Sequence, residues 1–144
     1  MEDFKHSIKL PARFVDMDAF DHINNANFLT YFEEARIKYL YDVIRWKYTL
    51  SKEAIILARA EIDFKFPAQY QDDLRIYTRC IKLGNKSFTL EYKLVKFENG
   101  EEKILASAIT VLAMYNYEIL SSIPVPESWK DAMKNFEGGK ILII

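Results

Sequence analysis

Residues 16 to 25 read Asp-Met-Asp-Ala-Phe-Asp-His-Ile-Asn-Asn. Carboxylates, an imidazole and amides packed so closely along a chain can do several kinds of chemistry. A carboxylate can act as a general base or as a nucleophile. Carboxylates beside a histidine can hold a divalent cation. The same residue types also build ordinary turns and helix caps, because short polar side chains bond to nearby backbone. The cation reading lacks spaced partner ligands. The chain has 2 histidines, His6 and His22, and a single cysteine, Cys80. These exclude HExxH and CxxC patterns and an intramolecular disulfide. No metal is therefore expected on Asp16, Asp18, Asp21 and His22. The 4 glycines (Gly84, Gly100, Gly138 and Gly139) build no phosphate-cradling loop.

The elements that must position this string lie on either side of it. From Ser7 to Val15 residues alternate, with Ile8, Leu10, Ala12 and Phe14 on one side. Period two predicts a half-buried first strand reaching Val15, with Pro11 at an edge or bulge. Residues 16–25 read as a loop. From Asn25 to about Ile44 the period changes, and Phe28, Phe32, Ala35, Tyr39 and Val43 recur at three- and four-residue steps. That predicts one long amphipathic helix, with Asn24 or Asn25 as its cap. Glu33 with Arg36 or Lys38 are expected as surface pairs. Four further strands are predicted at 58–66, 74–83, 87–97 and 104–115. The first of them ends at Pro67, and the last two are joined by an Asn99-Gly100 hairpin turn. The last strand is apolar on both faces, which places it centrally or against another subunit. A short helix from Glu127 to Phe136 follows Pro124-Val125-Pro126. The Ile141–Ile144 tail either adds a short strand or packs on a neighbour. The expected architecture is α+β in the order β-α-β-β-β-β, a long helix against a curved antiparallel five-stranded sheet. One domain spans 1–144, with residues from about 137 outside the core pattern.

Composition bounds the partners. The chain has 144 residues, 50% of them hydrophobic and 15% aromatic, so it can fold around a core. A core of this size is small, and oligomerisation would supplement it. Lys+Arg is 20 against Asp+Glu at 21. Without a basic excess, no nucleic-acid partner is expected. No apolar run approaches the ~18–20 residues of a membrane helix, and the start has no signal-peptide pattern. The expected location is cytoplasmic.

The string from Arg13 to Arg36, R-F-V-D-M-D-A-F-D-H-I-N-N-A-N-F-L-T-Y-F-E-E-A-R, resembles the hotdog-fold thioesterases of the hydroxybenzoyl-CoA thioesterase type. Their first motif runs Arg, Asp-x-Asp, a Gly, His-hydrophobe-Asn-Asn, then an aromatic-rich helix ending Glu-x-Ala-Arg. Arg13, Asp16, Asp18, His22, Asn24, Asn25 and Arg36 match it in order, and Asp21 stands where the family often has Gly. Ala60–Pro67 resembles the family's second strand, and Leu83–Phe88 its Leu-Gly-x-Lys/Arg-Ser turn. The likeness runs from the first strand to the Pro-Val-Pro segment.

The resemblance implies hydrolysis of an acyl-CoA or acyl-carrier thioester. Asp18 would be the base or nucleophile. The Asn25 N–H at the helix start would polarise the carbonyl, and His22 would orient water or thioester. An ordinary aspartate is a weak base but a fully ionised nucleophile at pH 7. Lys82, Lys86 and Ser87 would meet coenzyme A phosphates. No cofactor is implied beyond coenzyme A as part of the substrate. A homodimer joined sheet edge to sheet edge, or a homotetramer, would be the assembly, with the pocket between protomers. The residues leave two alternatives open: a hotdog hydratase or dehydratase acting on enoyl or hydroxyacyl thioesters, and a non-catalytic acyl-thioester binding module. Plainer roles are expected for Asp16 (paired to Arg13 or loop amides), Cys80 (a buried thiol), and Glu33 and Glu34 (a solvated helix face).

Overall fold

The aromatic residues recurring one helical turn apart must be covered, and the strands that follow them supply the cover. A computed structural model describes residues 1–47 and 51–144. In chain order it contains β1 (His6–Lys9), a single 3-10 turn (Phe14–Asp16), α1 (Ala26–Ile44), β2 (Ala54–Phe64), β3 (Asp73–Leu83), β4 (Ser87–Glu98) and β5 (Glu101–Asn116). These are followed by β6 (Ser121–Ser122), α2 (Glu127–Glu137) and β7 (Leu142–Ile143). The main sheet has the order β1-β3-β4-β5-β2, and every neighbouring pair along it is antiparallel.

α1 lies across one face of this sheet. Phe28, Phe32, Ala35, Tyr39 and Leu40 point inward. They meet Leu74, Ile76 and Cys80 of β3, Leu90, Tyr92 and Leu94 of β4, and Ala106, Ala108, Leu112 and Met114 of β5 in one core. Alternate positions on each strand share this face, as the pleat requires. β5 sits between β4 and β2, so it is central, as its apolar character demanded. The turn into β5 has Asn99 at φ 54° and Gly100 at φ 78°, the two left-handed residues of a tight hairpin. This is the expected hotdog arrangement. Among the described residues no helix is long and apolar enough to cross a membrane.

Several boundaries differ from expectation for physical reasons. β1 stops at Lys9, and the alternation from Leu10 to Val15 does not continue as strand. The chain turns there instead, and Phe14 and Val15 are exposed. β2 begins at Ala54 and ends at Phe64, with a register shift between Leu57 and Arg59. That bulge moves Ala58 out of the run: Leu57, Ala60, Ile62 and Phe64 pair with the inward residues of β5. Arg36 is buried rather than on the surface, 3.5 Å from the Tyr92 hydroxyl and 3.6 Å from Glu33. Lys38 pairs with Asp42 at 3.2 Å, not with Glu33. The tail forms β7, parallel to β3 at Lys82 and Leu83.

α2 is fastened by a buried carboxylate. Glu137 Oε2 accepts the Tyr39 hydroxyl at 2.6 Å and the Cys80 backbone N–H at 2.9 Å, which ties α2 to α1 and β3. Burial and the adjacent Glu137 charge push the Tyr39 hydroxyl well above the usual tyrosine range. Glu137→Ala leaves two buried donors unmatched, so it should cost about 2–4 kcal/mol. Urea unfolding measures this as a lower midpoint at unchanged slope. A wild-type midpoint would show that the latch contributes nothing.

Candidate active site

The polar string folds as a small closed loop whose geometry its own backbone sets. Met17 and Ile23 form an isolated antiparallel bridge. Inside it the Asp18 N–H donates to the His22 carbonyl at 2.9 Å, and the Asp21 N–H donates to the Asp18 carbonyl at 3.1 Å. Closing so short a loop needs one residue in the left-handed region, and that residue is Asp21, at φ 63°. Glycine takes this conformation freely, and Asp tolerates it better than most side chains do. Asp21, which stands where the resembled motif often has Gly, thus holds a backbone conformation that glycine takes freely.

Asp16 anchors the loop to the helix. Its carboxylate is 4% exposed. It accepts the Tyr31 hydroxyl at 2.6 Å, the Arg13 guanidinium at 3.0 Å and the Arg13 backbone N–H at 3.2 Å. Its carbonyl accepts the Asn24 N–H and the Asn27 side-chain amide, both at 3.0 Å. Burial alone would raise the Asp16 pKa, but the bonds from Tyr31 and Arg13 outweigh it and hold the carboxyl below its ordinary value. Burial, seconded by the Asp16 carboxylate, pushes the Tyr31 hydroxyl up. Asp16 thus has the structural role expected of it.

Asp18 is different. One oxygen, Oδ1, accepts the Phe20 N–H at 2.9 Å. Among the described residues Oδ2 has no partner. Asp18, His22 and Asn25 line one cleft of ≈ 350 Å³, together with Phe20, Ile23, Asn24 and Pro67. At the helix start the Ala26 N–H donates to Asn24 Oδ1 at 2.9 Å, and the Asn27 and Phe28 N–H groups donate to the Asn24 and Asn25 carbonyls. The cap bond therefore comes from Asn24, while Asn25 occupies the cap position without one. That leaves the Asn25 N–H without an acceptor among the described residues. It sits at the positive end of α1, where a developing negative charge is stabilised. A half-bonded carboxylate, an imidazole and a free amide thus share one opening, suited to attack on a polarised carbonyl.

A larger groove of ≈ 600 Å³ lies against β1, lined by Leu10, Arg13, Asp16, Tyr31, Glu34 and Lys38 among others. It lacks a helix-start amide, and its buried carboxylate, Asp16, is already saturated with donors. Size alone does not make it the reactive site. Lys82, Lys86 and Ser87 are not brought to Asp18 within one chain. The Asp18 loop is tied to the β2–β3 connection, through Ile23 N–H to the Ala68 carbonyl at 2.7 Å. The three basic-turn residues cluster where β3 passes into β4, at the far end of β3. Cys80 is buried and its thiol pushed up to about 12 by desolvation, which suits a core residue rather than a nucleophile. Among the described residues no group of three or more His, Cys, Asp or Glu side chains is placed to hold a metal ion.

Residues 12–133 match the family model described as the thioesterase-like superfamily. The chain belongs to the thioesterase-like superfamily. It is 28% identical to the long-chain acyl-CoA thioesterase FadM of Escherichia coli over 103 residues, 70% of this chain and 76% of that one. It is 31% identical to a thioesterase of Thermus thermophilus solved with coenzyme A and zinc, with a TM-score of 0.81 over 96% of this chain and 98% of that one. A 4-hydroxybenzoyl-CoA thioesterase mutant complexed with 4-hydroxybenzoyl-CoA shares the fold, with a TM-score of 0.80 at 17% identity over 89% of this chain and 97% of that one.

Two tests follow for this thioesterase-like loop. A folded pKa held below the ordinary value means the Asp16 bonds stabilise the fold above the unfolded pKa and are lost as pH falls through the folded one. Tyr31→Phe removes one of those bonds, so its acid-unfolding midpoint by circular dichroism should move to higher pH; an unmoved midpoint counts against the anchor. Asp21→Gly should leave thermal stability near wild type, whereas Asp21→Val should cost about 1–2 kcal/mol at this left-handed position. Equal stability of the two variants would show that the loop does not need this backbone conformation.

Proposed function

We propose that this protein hydrolyses an acyl-CoA thioester to the free acid and coenzyme A, with Asp18 as the attacking or activating carboxylate. The observation that carries the reading is that Asp18, with its unbonded Oδ2, and Asn25, whose N–H has no acceptor among the described residues, line one cleft. As nucleophile, Asp18 adds to the thioester carbon, the oxyanion gathers against the Asn25 N–H, and the C–S bond breaks to release coenzyme A thiolate, which takes a proton from water. Water then cleaves the mixed anhydride and restores the carboxylate. As base, Asp18 takes a proton from water as the water attacks. In either route His22, on the same cleft, orients the water. The names of the relatives, a long-chain acyl-CoA thioesterase and a thioesterase bound to coenzyme A, support this substrate class.

The working form is proposed to be a homodimer, or a tetramer built from such dimers. β2 is an unpaired edge, and on its helix-facing side Leu57 and Phe64 are exposed. An open sheet edge of this kind is a template for a second strand. Antiparallel pairing of two β2 strands about a two-fold axis places the β3–β4 turn of one copy at the Asp18 end of the other. That offers Lys82, Lys86 and Ser87 of the partner subunit as the contacts for coenzyme A phosphates.

Asp18→Asn keeps the shape and removes the ionised oxygen. Thiol release across a panel of acyl-CoAs should show kcat reduced at least ~10²-fold. Equal turnover by both proteins removes Asp18 from the mechanism. Hydration of crotonyl-CoA with its thioester left intact would favour a hydratase instead. Sedimentation should give a mass of two chains or an even multiple, and a monomer at assay concentration contradicts the assembly.

A further inference from the structure

Resting on that reading, we propose that the β5–β6 tip of a second copy, carrying Ile119 and Leu120, closes the Asp18 cleft and sets how long an acyl chain it admits. Within one chain the cleft is an incomplete container. Its apolar wall is Phe20, Ile23 and Pro67, and Phe20 is 81% exposed. A long acyl chain needs more apolar wall than this.

The missing wall has a counterpart at the other end of the protomer. After β5 the chain makes a tight turn in which Asn116 Oδ1 accepts the Glu118 N–H at 2.8 Å and the Ile119 N–H at 3.2 Å. Leu120 is held at φ 52°, a left-handed conformation unfavourable for leucine. Ile119 and Leu120 are 64% and 72% exposed. Two large aliphatic residues are thus displayed on a rigid, strained tip, and strain of this kind is retained where a function uses it.

Topology says what the tip meets. It belongs to the Ala54 end of β2: Ala54 pairs with Tyr115, and the Tyr117 N–H donates to the Ser51 carbonyl. The Asp18 loop belongs to the Phe64 end, through Ile23 and Ala68. Along β2 the two ends are roughly 35 Å apart at the usual strand rise, so tip and cleft of one chain never meet. A two-fold axis through the middle of β2 exchanges the ends. The partner subunit's tip then comes beside the cleft of the first copy, next to the exposed Phe64, Phe66 and Phe20. The occupant of this apolar patch is a second copy of the chain, because the edge that brings it is the open edge of the sheet itself.

Two measurements test this separately from hydrolysis itself. Phe20→Cys/Leu120→Cys should be joined into a covalent dimer by a short bis-maleimide, while neither single variant is, and the native Cys80 is buried away from the reagent. Absence of the dimer band in the double variant overturns the placement. In the second, Leu120→Asp should lower the ratio of kcat/KM for long-chain to short-chain acyl-CoA by about 10-fold or more, with dimer mass retained. An unchanged ratio overturns the specificity role. If the wild type cleaves no acyl-CoA while the double variant still cross-links, the thioesterase reading falls, and the specificity role with it, but the tip-to-cleft placement stands.

Discussion

Asp16 is the interaction on which the rest depends. Its carboxylate joins Arg13 before the loop to Tyr31 inside the helix, and its carbonyl holds Asn24 and Asn27 at the helix start. Both ends of the loop are thereby fixed to α1, and α1 is fixed to the sheet by the aromatic stripe from Phe28 to Tyr39. This anchoring also fixes the loop that carries Asp18. Asp18, two residues on, lines the cleft. A carboxylate that is fully bonded and buried does structural work, and a neighbour with one bonded oxygen is free for chemistry. The same residue type two positions apart thus stands in two environments, one buried and fully bonded, the other lining a cleft.

The helix start carries the second half of the arrangement. A helix leaves its first N–H groups unmatched, and proteins usually satisfy them with caps. Here Asn24 takes the Ala26 N–H, and the Asn24 and Asn25 carbonyls take the next two. The Asn25 N–H is left without an acceptor among the described residues, and Asn25 lines the cleft. The capping that stabilises α1 thereby leaves one amide unpaired among the described residues.

Much of this was legible in residue order. α1 and strands β3 to β5 announce themselves by clean periods, and the Asn99-Gly100 turn names its own conformation. The motif set Asp16 apart as a structural residue, and its bonds to Arg13 and Tyr31 bear that out. What was not legible depends on partners distant in sequence. The alternation from Leu10 to Val15 imitates a strand, but after the Leu10 N–H bonds to the Leu74 carbonyl, near the start of β3, the chain turns. The bulge at Leu57–Arg59 leaves no mark in the period, because Ala58 and Ala60 look alike to a pattern. Arg36 reads as a surface residue until Tyr92, far along the chain, is seen beside it. His6, bonded to Asp42 at 2.8 Å, and the Glu137 latch carried no local signal either. The separation of Lys82, Lys86 and Ser87 from Asp18 emerged only from the topology, since it depends on which way β3 runs from the loop.

The most direct test is a crystal structure with a non-hydrolysable acyl-CoA analogue that keeps a carbonyl in place of the thioester. The carbonyl oxygen should lie about 3 Å from the Asn25 nitrogen, with Asp18 Oδ2 facing the carbonyl carbon directly or through one water. An analogue seated with its carbonyl in the groove beside β1, or with Asp18 turned out of reach, would contradict it.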